Sequence, residues 1–413
     1  MNLSFLQTPG WRRAGQVLEL VPFLAAIVMV PFVIPGGTLV PWHPYTMDLQ
    51  TYLDAGQALA HGGDILTMRF TMNQLAFIYP MFSALVAVPL SYLPYTLMQL
   101  AWIVLSVLLI RTMLRRFGVP AGVAVATLTT FVVLVCEPVR STLGYGQVNV
   151  IVLALVVLDL LPGRRIGPRG AMTGLAASIK LTPALFAIYL LSMRRWKDTA
   201  WLVAVFAATT AIGFAVLPHE SIGFWKTILV EQDTRTGAAY YLSNQSVLGG
   251  MVRMFGDTHS MHVLGIVLGA LVGLTAAIAG AMWTRRGEEL FGIGLVGLGT
   301  LMASPLSWTH HFVWVVPLGI AMFRYALPLS VKVIGGAFAV WTTAGLILQW
   351  LPYAQNQELT YTFFQDLVSD VTPILSVALI IAAVLTAARR PASAPEPTPV
   401  STTERHLLPE PTF

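Results

Sequence analysis

Apolar stretches of roughly 20 residues, the length an α-helix needs to cross the hydrocarbon core of a bilayer, recur in this chain from Val17 to Ala387. Their recurrence leaves few architectures open. Inside lipid every backbone N–H and C=O must be bonded within the protein, and a helix does this segment by segment. Charged residues make up 10% of the chain, against about 25% in soluble domains, so no soluble core accounts for so much apolar surface. The expectation is an all-α polytopic membrane protein of about ten spans. It forms one transmembrane domain over residues 1–390, followed by a disordered tail over 391–413 that is rich in Pro, Ser, Thr and Glu.

The net charge of +5 is distributed in short clusters between the apolar runs, so it reports topology, and no nucleic-acid partner is expected. The clusters are Arg12 and Arg13; Arg111, Arg115 and Arg116; Arg164, Arg165 and Arg169; Arg194, Arg195 and Lys197; Arg285 and Arg286; Arg324; and Arg389 and Arg390. Read as cytoplasmic markers, they fit spans near 16–40, 95–116, 118–137, 147–162, 199–217, 261–283, 288–303, 307–324, 327–350 and 371–388. Both termini are then cytoplasmic. The first helix is read as retained, because no small-residue cleavage site follows it.

The segment AMTGLAASIKLTPALFAIYLLSM breaks this pattern, since Arg169 precedes it and Arg194, Arg195 and Lys197 follow it. A single crossing would invert every later cluster. A re-entrant pair of half-helices meeting near Lys180 to Pro183 keeps them all on one side, and Thr182–Pro183 supplies the break. Non-helical backbone at membrane depth requires protein or a watery cavity around it, so the pair is expected to line a site.

Large outward loops then span about 41–94 and 218–260, with smaller ones at 138–146, 304–311 and 351–370. In the first, Leu49, Tyr52, Leu53 and Leu59 fall near helical spacing and glycines follow, the pattern of a helix lying at the interface. The polar residues of interest gather at the outward ends. Asp48 has two open readings: cap of that interfacial helix, or general base made more basic by partial desolvation. His310 and His311, in SPLSWTHHFVW, project about 100° apart on a helix, so one of them is expected to donate to an anion and a metal pair is not. Lys180 is an intramembrane cation, a functional-site candidate unless it snorkels to a boundary. With Arg253 it would neutralise a phosphate. Gln147, Asn149, Asn244 and Gln245 supply neutral groups suited to sugar hydroxyls, although amides at helix ends also serve as caps. Asp54 and Asp64 read as solvated or capping, and Cys136 as a buried small residue without chemistry. Walker, Rossmann and HExxH patterns are absent.

Taken together, MDLQTYLDAGQALAHGGD, IYPMFSALVAVPLSYLP, GQVNVIVLALVVLDLL, GLAASIKLTPALFAIYLL, SNQSVLGGMVR and SPLSWTHHFVWVVP resemble, in order, the actinobacterial polyprenyl-phosphate-mannose-dependent α-1,2-mannosyltransferases. These form glycosyltransferase family 87, of the GT-C membrane fold. The resemblance implies an inverting enzyme of the bacterial plasma membrane, with its active site on the periplasmic side. Its partners would be a polyprenyl-phosphate-linked sugar donor, a glycolipid acceptor of phosphatidylinositol mannoside or lipomannan type, and the surrounding membrane lipid; no cofactor is implied. Asp48 matches the acid the family uses as catalytic base. Tyr79 and Pro80 match a YPP motif in which Met81 departs from the pattern, so acceptor contacts are expected to differ there. An arabinofuranose donor is the alternative within the family. No acidic cluster accompanies Asp48, so metal independence is expected. Outside the family the rivals are a lipid or sugar transporter and a non-enzymatic assembly subunit. No inverted repeat is evident, and the ionisable residues lie at the outer ends instead of the midplane, which disfavours the first. The second has no need of such polar loops.

Overall fold

The computed structural model describes residues 15, 17–29, 46–71, 74–229, 237–345, 347–353 and 355–389. It opens with α1 (Val21–Met29), α2 (Met47–Ala60), α3 (Met81–Leu90), α4 (Tyr95–Arg116), α5 (Val123–Leu134), α6 (Glu137–Tyr145) and α7 (Asn149–Leu160). Then follow α8 (Ala171–Ile179), a 3-10 turn (Thr182–Leu185), α9 (Phe186–Ser192), α10 (Trp196–Val216), α11 (Pro218–Leu229), α12 (Val247–Phe255) and α13 (His259–Thr284). The chain continues with α14 (Glu289–Ala303), a 3-10 segment (Thr309–Trp314), α15 (Val315–Arg324), α16 (Leu329–Ala344), α17 (Ile347–Trp350), a 3-10 turn (Gln357–Thr360), α18 (Phe363–Ser369) and α19 (Val371–Arg389). Residues 16 and 30–40 of the expected first span and the whole of the tail at 391–413 fall outside the described residues.

Among the described residues, α4, α10, α13 and α19 are long and apolar enough to cross a membrane, and α5 with α6 forms a fifth such unit bent by 69°. The remaining expected spans are shorter or broken, for local reasons. The run expected at 118–137 starts late, at Gly122 with φ 85°, and its continuation turns at Glu137–Pro138 into α6, where a loop was expected. The run at 307–324 begins as a 3-10 segment with a kink at Phe312; Pro317 has no N–H for the carbonyl four residues back. The run at 327–350 divides at Gly345, whose φ is 61°.

Small residues bring α13 and α14 close. A Cβ on Gly269 would stand 2.6 Å from the Met302 carbonyl oxygen, and one on Gly280 the same distance from that of Gly292. Without a strong hydrophobic drive between helices in lipid, such backbone approach is what holds a pair together.

Among the described residues, the basic clusters collect at one end of the bundle. Arg116 bonds the Pro162 and Arg164 carbonyls, Arg324 that of Phe117, Arg285 that of Ser192, and Arg286 that of Ala387. At this same end Gly170 lies so close to Asp198 that a Cβ would meet its carbonyl oxygen at 2.0 Å. Residues 171–192 therefore leave the basic end and return to it, with Lys180 at the far tip. α8 runs outward beside α7, from the buried Asp159, which accepts from the Gly170 and Thr173 amides at 2.9 and 3.0 Å, to Lys180, which reaches Asn149.

Candidate active site

The site lies at the tip end and is built on two reversals of the chain. In the first, Gly146 ends α6 in the left-handed conformation, φ 67°. A Cβ there would stand 2.6 Å from Leu49 Cβ, so glycine serves both the turn and the approach of α2. In the second, Thr46 enters α2 with φ 38°, unusual for a β-branched residue. Its hydroxyl accepts from Gln99 at 2.7 Å and lies 2.6 Å from the Tyr95 hydroxyl, while its amide donates to the Gly144 carbonyl at 2.9 Å. Thr46, and not Asp48, is the cap residue of α2. Asp48 stands in the first turn, where the helix dipole favours a carboxylate. The apolar face of α2 is not laid on lipid: Leu49, Tyr52 and Leu53 are buried, and Gly56 touches the α3 backbone.

Asp48 is partly exposed and accepts from Gln147 Nε2 at 3.2 Å on Oδ2. The amide has only one orientation open to it. Its Oε1 accepts from the Val148 amide at 2.9 Å and is within donating distance of the Tyr52 and Tyr79 hydroxyls, at 2.8 and 3.1 Å, so the NH2 must face the acid. The two tyrosines are buried, 3.0 Å apart at their hydroxyls and edge-on at 5.2 Å between ring centroids. Burial here pushes the Asp48 carboxyl up to about 7, outweighing the Lys180 charge and the Gln147 bond, which act the other way.

Asn149, near the start of α7, is oriented in the opposite sense. Its Nδ2 donates to the His310 carbonyl at 2.9 Å and to Thr142 Oγ1 at 3.1 Å, which turns Oδ1 to receive Lys180 Nζ at 2.8 Å. The neighbouring amides thus present N–H to the acid and C=O to the cation. Asp48 and Lys180 make no direct ion pair among the described residues, yet the lysine's charge acts on Asp48. His310 is partly exposed, with its ring against Tyr145 at 5.1 Å. His311 turns inward and accepts from the Trp308 amide at 3.2 Å, so of the pair only His310 borders the site.

The structure brings together Asp48, Tyr79, Gln147, Asn149, Lys180 and His310. It separates Arg253, Asn244 and Gln245 from them. Arg253 is paired with Asp370, both side chains buried, and donates to the Tyr241 and Asn244 carbonyls at 3.2 and 2.8 Å. Its two terminal nitrogens are spent on holding a loop; the partner acid is 117 positions away, which no local reading of SNQSVLGGMVR can see. Asn244 is consumed by the Ser246 and Ser307 amides and the Ala239 and Pro305 carbonyls. Gln245 donates to the Leu242 and Ser369 carbonyls. Asp64 caps a turn through the Leu66 amide at 3.0 Å, as expected, and Asp54 is half-buried on α2. Cys136 is buried. The sequence singles out neither Thr46 nor Tyr52 for the site, and places Tyr52 only on the apolar face of α2. Tyr52 was within reach, since it lies four residues after Asp48 and so on the same helix face. Thr46 was not, because its role comes from Tyr95 and Gln99. Among the described residues no group of three or more acids, histidines or cysteines is arranged to hold a metal.

The family model of glycosyltransferase family 87 matches residues 77–305. A polyprenol-phosphate-mannose-dependent alpha-(1-2)-phosphatidylinositol pentamannoside mannosyltransferase of Mycolicibacterium smegmatis is 34% identical over 353 residues, covering 83% of this chain and 82% of that protein. A polyprenol-phosphate-mannose-dependent alpha-(1-2)-phosphatidylinositol mannoside mannosyltransferase of Mycobacterium tuberculosis is 31% identical over 433 residues, covering 98% and 97%. No solved structure matches the chain.

Proposed function

Since the chain belongs to glycosyltransferase family 87, we propose that it moves mannose from a polyprenyl-phosphate donor to a phosphatidylinositol mannoside, forming an α-1,2 link with inversion. The observation that carries the chemistry is Asp48 held by the Gln147 amide, with Lys180 nearby but not in contact. In this reading an acceptor hydroxyl gives its proton to Asp48 as its oxygen attacks the anomeric carbon. The bond from that carbon to the phosphate oxygen breaks on the opposite face, and its electron pair leaves with the lipid phosphate. Lys180, positioned by Asn149, and His310 offset the charge gathering on that phosphate. Tyr79, Tyr52 and Gln147 fix the base, and positioning of the two lipids supplies much of the rate.

The relatives are named for mannose transfer, which favours it over arabinofuranose. The finer membrane reading goes with this proposal: a GT-C bundle of about ten crossings, in a bacterial plasma membrane, with the basic end cytoplasmic and the Asp48 end periplasmic. Residues 171–192, which start and finish at the basic end, are then the re-entrant pair.

Replacing Asp48 by Asn keeps the shape and removes the base. Membranes carrying this variant should transfer labelled mannose from the polyprenyl-phosphate donor some 10²–10⁴-fold more slowly. Wild-type rates in that variant would remove Asp48 from the mechanism.

A further inference from the structure

The groups assembled around Asp48 divide by depth. Tyr52, Tyr79, Gln147 and Asn149 are buried, whereas Asp48, Lys180, His310 and Tyr145 are partly exposed. Asp48, Lys180 and His310 have roles in the proposed chemistry, and Tyr145 has none. It is nonetheless fixed among them. Its neighbours in the chain both touch the start of α2: the Gly144 carbonyl accepts from the Thr46 amide at 2.9 Å, and Gly146 lies against Leu49. Tyr145 therefore stands beside the turn that carries Asp48, and the charges of Glu137 and Asp48 act on its phenol. On its other side its ring meets that of His310 at 5.1 Å, edge to face at 69°.

The hydroxyl of Tyr145 is uncommitted. It makes no hydrogen bond among the described residues, although the phenols of Tyr241 and Tyr353 lie within its electrostatic range. Nor is it a buried atom lacking a partner, so it opens to the space around the site, where a phenol can both donate and accept. In an inverting transfer the attacking oxygen, the anomeric carbon and the departing phosphate oxygen lie in line. The moving sugar must then sit between the base and the groups that receive the phosphate. Tyr145, between Asp48 and His310, borders that position. We propose that the Tyr145 hydroxyl hydrogen-bonds a hydroxyl of the sugar being transferred, and so helps to select that sugar. The inference rests on the mannosyltransferase reading. A site that bonds a substrate hydroxyl discriminates against analogues without it, because its own polar group is then left unpaired.

Tyr145→Phe removes the hydroxyl and keeps the ring on His310. Because that hydroxyl bonds nothing among the described residues, thermal unfolding should be unchanged. In membranes, kcat/KM for polyprenyl-phosphate mannose should fall roughly three- to tenfold, the value of one net hydrogen bond, with the acceptor KM unmoved. Donors whose mannose lacks one hydroxyl at a time locate the contact. For one of them the wild-type advantage over Tyr145→Phe should vanish, since the partner of the phenol is already gone. A variant equal to wild type with the intact donor, an advantage that persists with every deoxy donor, or a change confined to the acceptor KM overturns the contact. Should the wild-type chain transfer no mannose at all, the functional reading falls separately, and binding decides Tyr145. The full chain is then titrated with polyprenyl-phosphate mannose and with bare polyprenyl phosphate. A preference for the mannosylated lipid that weakens in Tyr145→Phe supports the contact; an equal preference in both proteins, or none in wild type, overturns it.

Discussion

At the residue scale the centre of the protein is a carboxylate whose protonation is set by its surroundings. With its carboxyl pushed up to about 7, Asp48 is half protonated near neutrality, and only the ionised form accepts a proton. kcat/KM should therefore be level above that pH and fall toward tenfold per unit below it; a profile flat down to pH 5 would separate Asp48 from the rate. The Gln147 bond lowers this pKa, so Gln147→Leu should move the midpoint upward and reduce turnover at pH 7. A purely structural contribution of Gln147 would lower activity without moving the midpoint. Asp48 was legible in the sequence as an acid after an apolar run, and Gln147 and Asn149 as amides at a helix end. What the spacing could not show is that one amide faces an acid and the other a cation, because that depends on Tyr52, Tyr79, Thr142 and the His310 carbonyl, drawn from separate parts of the chain.

At the element scale, helices with unbroken apolar runs were read closely. α4 is Tyr95–Arg116, and the sequence places it at 95–116. Runs interrupted by proline or by a left-handed glycine were read too long, as at Gly122, Pro138, Pro317 and Gly345, since hydropathy averages over a break that backbone geometry does not allow. The expectation that Arg253 neutralises a phosphate with Lys180 fails for a different cause: its partner Asp370 stands at the foot of α19. Removing one member of a buried ion pair strands the other, so Arg253→Met should cost about 3–5 kcal/mol of stability. Arg253→Met combined with Asp370→Leu should recover much of that, measured by thermal unfolding in detergent. A single variant as stable as wild type would show the pair to be dispensable.

On the scale of the whole molecule, the described members of clusters read one at a time along the sequence as cytoplasmic markers converge on one end of the bundle, and the candidate site lies at the other. A reporter fused after Arg195 should read cytoplasmic, as should one fused after Arg165, because residues 171–192 start and finish at the same end. A periplasmic signal after Arg195 alone would make the segment a crossing. The return path also makes α8 a gauge. It is anchored at the basic end by Asp159 and by the close contact of Gly170 with Asp198, and its nine residues reach about 14 Å at 1.5 Å each to set the height of the Lys180 ammonium. Inserting one alanine into α8 would raise that charge by about 1.5 Å and swing it by about 100°, off Asn149, with every side chain of the site still present.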